Sequence, residues 1–473
     1  SRALTDVART VGAVSLVTLA GCWQLAPESG DETSDASEAS YYPTGEGGEP
    51  FDGSAGPDAS DGGDGEAAIG LEPGDARDAG DAPEAGDGFG PPVTLPGAMP
   101  TRASGLGFAC RVDSAGEVWC WGDNSFGQTG SPLTDATVAH PTQVAGVTAA
   151  IAVAAGDHHA CAVTSGHDVL CWGLDAEYQL GHAAATSGDV ICPGTVAGET
   201  LPCSPAPTAV VGITDAVAIA AAGAWTCALG SGGAVQCWGA VQSTPTPDGG
   251  VACGTGTLAQ GGTCTPAPYA VPGAAGVAAI AVGYDHGCAA VTGGVGGGDQ
   301  VACWGANNEG QVSPSACPGY DCASPIVRTD LVNTVALAAG DEFTCALGVD
   351  QVVRCFGDNS VGELGHAPGT AGDLGDDDAG GVFDTTPTAV TSLSGVASLV
   401  GGGSQAACVI LAGGAVECWG DLGGPTPAPA TIAGLPPMAG LGSFDGSLVC
   451  GEATDGSDWC FGLAGTPPAT QVQ

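Results

Sequence analysis

The amino-acid sequence predicts an all-β protein built from repeats, either a propeller or a solenoid. With 83 Gly and 33 Pro among 473 residues, the chain has too many turn formers for a helical protein. A cysteine pair recurs seven times, and its second cysteine is always followed by Trp-Gly or Phe-Gly. The first cysteines lie 42 to 66 residues apart, a period typical of units that bury their apolar faces only by stacking. The pairs are Cys110–Cys120, Cys161–Cys171, Cys227–Cys237, Cys288–Cys303, Cys345–Cys355, Cys408–Cys418 and Cys450–Cys460.

Each of these pairs is expected to close a β-hairpin. In the first unit, placing Cys110 opposite Cys120 sets Val112 opposite Val118 and leaves residues 114–116 as a three-residue loop. The loop ends in glycine, where a positive φ is needed. At a non-hydrogen-bonded antiparallel pair the Cα atoms are about 4.5 Å apart, within the range of about 4.4 to 6.8 Å that disulfides accept. We therefore predict that one disulfide closes each hairpin.

Three further cysteine pairs fall in the long connections between units. Zinc is the alternative to disulfides, but it favours thiolates spaced two to four residues apart, usually with histidine. The spacings here do not fit, so we predict ten disulfides, an oxidising compartment, no metal and no cofactor. The three pairs are Cys192–Cys203, Cys253–Cys264 and Cys317–Cys322.

The charge balance limits the classes of partner. Acidic residues number 52 against seven Arg and no Lys, which gives a net charge of −45. Such a chain is repelled by nucleic acid and by anionic lipid headgroups. We expect a monomer that binds no nucleic acid and touches a membrane only through a lipid anchor.

Residues 1–22 resemble a bacterial lipoprotein signal peptide. An apolar stretch too short to span a membrane leads into Leu19-Ala20-Gly21-Cys22, which is similar to a lipobox. The resemblance implies that Cys22 carries acyl chains and that the protein is a lipoprotein of the bacterial envelope, facing the periplasm or the cell surface. The alternative is an ordinary secretory signal with an incidental cysteine.

The segment 23–90 is predicted to be a disordered acidic linker. It contains 18 Asp or Glu against one Arg, with few large apolar side chains, so it cannot bury enough surface to offset the entropy of ordering. Residues 91–473 are then the repeat domain. Within it, the short apolar runs 151–156 and 280–283 are expected to be inner strands covered on both faces.

The repeats resemble those of the regulator of chromosome condensation. The similarity lies in Gly156-Asp-His-His-Ala-Cys-Ala-Val, Val169-Leu-Cys-Trp-Gly173 and Trp121-Gly-Asp-Asn-Ser-Phe-Gly-Gln-Thr-Gly130. Seven matching units cover about four fifths of the chain. The resemblance implies a closed seven-bladed β-propeller, and the cysteine pairs are a departure from the family that suits an exported member.

Few residues stand out as a site. His159 and His286 precede the first cysteine of their units by two, where other units carry Phe or Trp, so we predict that they pack. Trp119 and Trp459 flank hairpin cysteines and are candidate binding residues, although blade packing competes. Asp373–Asp378 is interpreted as an acidic loop rather than a calcium site. No catalytic constellation is recognisable, and we predict that the chain is not an enzyme.

We therefore expect a lipid-anchored propeller that binds a protein or glycan at the bacterial envelope. Two alternatives come from the resemblance: a guanine-nucleotide exchange factor-like regulator, and an inhibitor of an exported enzyme such as a beta-lactamase, because beta-lactamase inhibitory proteins share the propeller architecture. A hydrolase with its site in the central channel is a further hypothesis. The fold alone assigns none of these functions.

Overall fold

The computed structural model describes residues 101–182, 189–193, 200–240, 251–253, 263–274, 276–291, 300–314, 317, 321–370, 382–402, 404–465 and 468–472. The predicted signal peptide with Cys22, the linker 23–90 and the acidic loop 373–378 lie outside these residues. The regular elements of the described residues are all β-strands. The same residues include no helix long and apolar enough to cross a membrane.

Seven antiparallel sheets, or blades, follow one another along the chain. Each has an inner strand, then the two strands of the cysteine hairpin, then an outer strand. Blade 1 comprises β1 (Arg102–Gly105), β2 (Phe108–Val112), β3 (Val118–Asp123) and β4 (Thr137–Gln143). Blade 2 comprises β5 (Ala150–Ala155), β6 (His159–Thr164), β7 (Val169–Leu174), β8 (Val190–Pro193) and β9 (Thr200–Ala209). Blade 3 comprises β10 (Ala216–Ala222), β11 (Trp225–Gly230), β12 (Val235–Ala240), β13 (Val251–Ala252) and β14 (Thr263–Ala270).

The remaining four blades repeat this order. Blade 4 comprises β15 (Val277–Val282), β16 (His286–Val291), β17 (Gln300–Ala306) and β18 (Asp321–Val332). Blade 5 comprises β19 (Thr334–Ala339), β20 (Phe343–Gly348), β21 (Val353–Asp358) and β22 (Phe383–Ala389). Blade 6 comprises β23 (Val396–Val400), β24 (Ala406–Leu411), β25 (Val416–Asp421) and β26 (Pro425–Thr431). Blade 7 comprises β27 (Met438–Leu441), β29 (Leu448–Ala453), β30 (Asp458–Gly462) and β31 (Thr470–Gln471), and the intervening β28 (Ser443–Phe444) joins the sheet of blade 1.

The ring closes between blade 7 and blade 1. Strand β28 pairs in parallel with β1, with Ala103 beside Ser443 and Ser104 beside Phe444. The C-terminal β31 is the outer strand of its own blade, next to β30. The sheet of blade 1 therefore includes the short strand β28 from the C-terminal part of the chain, which closes the ring.

The predicted hairpin register is confirmed. Cys110 lies opposite Cys120 and Val112 opposite Val118, and the Cα atoms of the cysteine pair are 4.1 Å apart. The same 4.1 Å recurs in the other six hairpins. The three connecting pairs also lie at disulfide distance. Two of them hold the extra outer strands β8 and β13 beside β9 and β14.

The third residue of the hairpin loop adopts a left-handed backbone conformation, with a positive φ, whether or not it is glycine. Gly116 has φ +76°, as predicted for the first unit. The same position is filled by His167 at φ +68° and by Gln351 at φ +61°. These two side chains carry the strain that glycine avoids, so the turn geometry is set by the strands rather than by the loop sequence.

In blades 2, 3 and 6 the Trp-Gly dipeptide joins the blade to the one before it. The indole Nε1 of Trp172 donates to Gln128 O at 2.9 Å, and Trp238 donates to Gln179 O at 3.0 Å. Gly173, directly after Trp172, has φ +111°, and a Cβ there would lie 2.5 Å from His158 O. The tryptophan of the dipeptide therefore supplies a buried ring, and the glycine allows the backbone to pass close to the neighbouring strand.

His159 and His286 form the reverse contact, to the blade that follows. His159 Nε2 lies 2.8 Å from Thr226 Oγ1, and His286 Nε2 lies 2.8 Å from Thr344 Oγ1. Both rings are fully buried. Burial lowers the pKa of His159 to about 3, so its ring is neutral at ordinary pH. The two histidines pack between blades, in agreement with the prediction.

We predict that Thr226→Val lowers the free energy of unfolding by about 1–3 kcal/mol, because it leaves a buried imidazole nitrogen without its partner. Thr344→Val should cost at least as much, since Thr344 Oγ1 also donates to Gln311 O at 3.2 Å. Chemical denaturation of the oxidised protein measures both. Thr329→Val, on the exposed side of β18, is the control, and an equal loss there would contradict the assignment.

Candidate functional site

The axial channel has an apolar wall. Inner strands of blades 3 to 7 enclose a cavity of about 420 Å³. Ala, Val, Ile, Leu and Gly line it, and Ser398 and Ser443 are the polar residues of this wall. Its described lining offers no carboxylate, so the hypothesis of a hydrolase with acids in the channel gains no support from this cavity. The wall residues are 217–221, 229, 278–282, 335–339, 398–402, 441 and 443.

One end of the axis is bounded by backbone hydrogen bonds between successive inner strands. Asp157 N donates to Gly223 O at 2.9 Å, and Asp341 N donates to Ser404 O at 3.0 Å. Asp445 N donates to Ser104 O at 2.7 Å across the closure of the ring. These three aspartates, which we call the axial acids, therefore come from blades 2, 5 and 7 to the same end of the axis.

The axial acids also bond across the axis. Asp445 Oδ2 accepts a hydrogen bond from Gly223 N at 2.7 Å, which links blade 7 to blade 3. The carboxyls of Asp445 and Asp157 are close neighbours, and each affects the pKa of the other. Burial and the charges of Asp157 and Asp341 raise the pKa of Asp445 well above its usual range. Asp445 is therefore the protonated member of the pair.

Burial and nearby acidic charges also raise the pKa of two neighbouring groups, Asp341 and Tyr284. Burial raises the pKa of Asp341 well above its usual range, and the charges of Glu342 and Asp285 add to the effect. Burial, followed by the charge of Asp157, also raises the pKa of Tyr284. A set of neutral acids at this end closes the axis by hydrogen bonding, which is a structural role.

A second polar group lies at the outer part of the seam between blade 7 and blade 1. Arg111 Nη1 is 3.0 Å from Asp458 Oδ2, and Arg102 Nη2 is 2.7 Å from Asp458 Oδ1. The Arg111 guanidinium lies 6.0 Å from the ring centroid of Trp119. Trp119 Nε1 in turn donates to Asp113 Oδ2 at 2.8 Å. We call these five residues the seam patch.

The two tryptophans predicted as binding candidates occupy equivalent positions in different surroundings. Trp119 is half-buried in the seam patch, opposite Arg111 in the hairpin. Trp459 is half-buried against the core shared with blade 6, and its Nε1 donates to Ser457 Oγ at 2.9 Å. Because Asp458 and Trp459 alternate along β30, they point to opposite faces of blade 7. The structure therefore does not bring the two tryptophans into one site.

The ring and its repeated contacts define the class of the protein. Seven blades of four or five strands, arranged around an apolar axis and each hydrogen-bonded to its neighbours, constitute a seven-bladed β-propeller.

The repeats identify the type of propeller. Residues 115–163 and 150–179 match the regulator of chromosome condensation (RCC1) repeat. The predicted resemblance is confirmed: residues 115–179 carry RCC1-type repeats, within a seven-bladed propeller. No curated protein sequence matches it.

Solved structures show the same fold. Yeast RCC1 (Prp20) bound to Kap60 is 17% identical, with a TM-score of 0.57 over 83% of this chain and 87% of that one. Prp20p from Saccharomyces cerevisiae, described with its binding to Gsp1p and histones, is 18% identical, with a TM-score of 0.58 over 80% of this chain and 88% of that one. Human WBSCR16 is 17% identical, with a TM-score of 0.56 over 73% and 84%. At these identities the likeness establishes the fold alone.

The axial acids were missed in the sequence analysis. Asp157 and Asp341 each follow the glycine that ends an inner strand, so their recurrence in two units was a visible signal. Asp445 stands one position earlier in its unit, before Gly446, and breaks that pattern. Its bond to Gly223, more than 200 residues away, could not be found from spacing.

We predict that Asp445→Asn makes the free energy of unfolding less dependent on pH. Because the folded pKa of Asp445 is raised, its contribution is fully present below the unfolded pKa of about 3.9 and is lost as the pH rises. For one proton the slope is about 1.4 kcal/mol per pH unit. Asparagine keeps an acceptor for Gly223 N and cannot ionise. Urea denaturation at pH 5 to 8 should show a shallower decline for the variant.

Asp455→Asn is the matched control for that experiment. Asp455 is exposed, and hydrogen bonds from Ser457 lower its pKa, so it is ionised in folded and unfolded chains across this pH range. Its variant should follow the wild-type slope. A wild-type slope retained in Asp445→Asn would contradict the assigned proton.

Proposed function

We propose that this propeller is an exported, lipid-anchored binding module of the bacterial envelope and that its ligand is a protein. The ten cysteine pairs at disulfide distance support an oxidising compartment. The lipobox-like residues before Cys22 support the anchor. The RCC1-type fold supports an interaction module, since it presents loops and blade edges on a rigid ring. The net charge of −45 favours a basic partner, whose approach it would accelerate.

The seam patch is the proposed contact surface, and the fixed orientation of Trp119 is the observation that carries it. Trp and Arg are the residue types most enriched at binding hot spots. Here the indole is held by Asp113 and faces the Arg111 guanidinium, which Asp458 holds from the next blade. An aromatic side chain that is already ordered loses little conformational entropy on binding.

Intact mass of the mature protein, isolated from a bacterial envelope, tests export and anchoring. We expect a chain that starts at Cys22, carries acyl mass, and gains about 20 Da on full reduction of ten disulfides. Free thiols on an unprocessed chain would refute export. A start after a different residue, without acyl mass, would refute the anchor while leaving the binding surface to be tested separately.

The contact surface is tested with immobilised full-length mature protein and the soluble protein fraction of the same envelope. We expect basic proteins, retained by the wild type and quantified by mass spectrometry, to be lost by at least tenfold on Trp119→Ala. Trp459→Ala is the matched control, because it removes the same residue type from the same hairpin position at another seam.

Two results would contradict this surface. One is equal retention by the wild type and Trp119→Ala. The other is equal loss with both tryptophan variants, which would indicate a general effect of truncating a half-buried ring. If the protein binds a glycan array and Trp119→Ala binds it equally well, the ligand is a glycan and its binding site lies on a different face.

A further inference from the structure

In blades 1, 4 and 5 the loop after Trp-Gly or Phe-Gly is organised around one asparagine, and blade 2 differs from these blades there. Asn124 accepts from Thr129 N and donates Nδ2 to Asp135 O at 2.9 Å. Asn307 accepts from Val312 N and donates Nδ2 to Ser313 O. In these loops the amide oxygen acts as an acceptor and the amide nitrogen as a donor. Asn359 accepts likewise, from Leu364 N in blade 5.

Asp175 takes the place of that asparagine in blade 2. Its Oδ1 keeps the acceptor role and receives a hydrogen bond from Leu180 N at 3.1 Å. Its Oδ2 stands where the other loops have a donating NH2 group. The side chain is fully buried, and within the described residues Oδ2 takes part in no hydrogen bond. A buried carboxyl in this position is either protonated or balanced by a positive charge.

Two further ligand-type side chains approach this oxygen. His182 Nδ1 is 3.5 Å from Asp175 Oδ2, and His182 Nε2 is 3.8 Å from Asp189 Oδ1. The side chains of His182 and Asp189 are only 5% and 1% exposed. One ligand atom from each of the three residues can be chosen so that all lie within 4.8 Å of one another.

The connection of blade 2 holds Asp189 in place. Asp189 directly precedes β8, whose Val190 pairs with Cys203 of β9. The Cys192–Cys203 pair joins the same two strands. Asp175 N donates to Pro202 O at 2.9 Å, so the loop that carries Asp175 is fixed to the other side of β9. The two carboxylates therefore converge on His182 from two elements of the same blade.

We infer that Asp175, His182 and Asp189 bind one divalent transition-metal ion, with Zn²⁺ the cation that suits them. Imidazole nitrogen and carboxylate oxygen are both zinc ligands, at about 2.0–2.2 Å. Two ligands at that distance from a tetrahedral ion are separated by about 3.4 Å, close to the 3.5 Å between His182 Nδ1 and Asp175 Oδ2. An imidazole gives one nitrogen to one ion, and with one atom taken from each residue all three lie within 4.8 Å of one another. A direct charged hydrogen bond would be shorter, at about 2.7–2.9 Å.

Charge neutrality supports the same inference. When both carboxyls are ionised and the imidazole is neutral, the three side chains carry a charge of −2, which one divalent cation balances. The prediction of no metal rested on the spacing of the cysteines alone. It did not include Asp175, His182 and Asp189, because these residues lie in a repeat loop and in an insertion. The visible signal was Asp175 at the position where the first, fourth and fifth units have asparagine.

The bound ion would act as a structural cross-link. It would attach the insertion between β7 and β9 to the loop that receives the indole of blade 3, since Trp238 Nε1 donates to Gln179 O within that loop. Blade 2 would then be held by a disulfide and a metal, whereas blade 5 uses the amide of Asn359 beside His366.

The test uses full-length oxidised protein without an affinity tag, dialysed against EDTA and then titrated with ZnCl2 in a calorimeter. We expect one tight site per chain and a rise in melting temperature on Zn²⁺ addition. His182→Ala and Asp175→Asn should each weaken binding by at least 100-fold and abolish the rise. Asp175→Asn restores the residue that other loops carry, so it is expected to fold.

His366→Ala is the matched control, because it removes the equivalent histidine of blade 5, which faces Asn359 rather than a carboxylate. It should leave the tight site intact. The inference is overturned if no tight site is found at 100-fold molar excess of Zn²⁺, if His182→Ala binds Zn²⁺ as the wild type does, or if Ca²⁺, an oxygen-preferring ion, binds equally well with and without His182.

Discussion

The hydrogen bonds between blades are the interactions on which this structure depends. The inner strands carry small side chains, so dispersion at the axis is limited and polar contacts must fix how each blade meets the next. An indole donates to the preceding blade, as in Trp172 to Gln128, and an imidazole contacts the following one, as in His159 with Thr226. Buried donors and acceptors tolerate little displacement, because a lost partner costs their full desolvation.

These contacts can form because the cysteine hairpin sets their register. The residue two before the first cysteine and the residue after the second lie on the same pair of strands, so one disulfide positions both the imidazole and the indole. A shift of one residue along the hairpin would turn both side chains to the opposite faces of the blade. The disulfide therefore secures the accuracy of blade packing as well as hairpin stability.

The sequence was sufficient to predict the repeated units and the contacts between residues that lie close together in the chain. Cysteine spacing gave the hairpin, its register and the glycine turn at Gly116, because these are contacts between residues close in sequence. It did not reveal that Gln351 adopts the same left-handed conformation, since no residue preference points to glutamine there. Nor did it reveal the bond from Gly223 to Asp445, or the convergence of Asp189 on Asp175, because both depend on how distant segments meet after folding.

The parallel contact between β28 and β1 makes this seam unlike the other six. It joins the two chain ends through two paired residues on each side, together with the ion pairs of Arg102 and Arg111 to Asp458. Separation of this seam would open the ring by removing only the short strand β28 from the sheet of blade 1, and strands β1 to β4 would stay paired. A partner that contacts both blade 7 and blade 1 would therefore hold the ring closed, and its binding would stabilise the closed ring against opening at this seam.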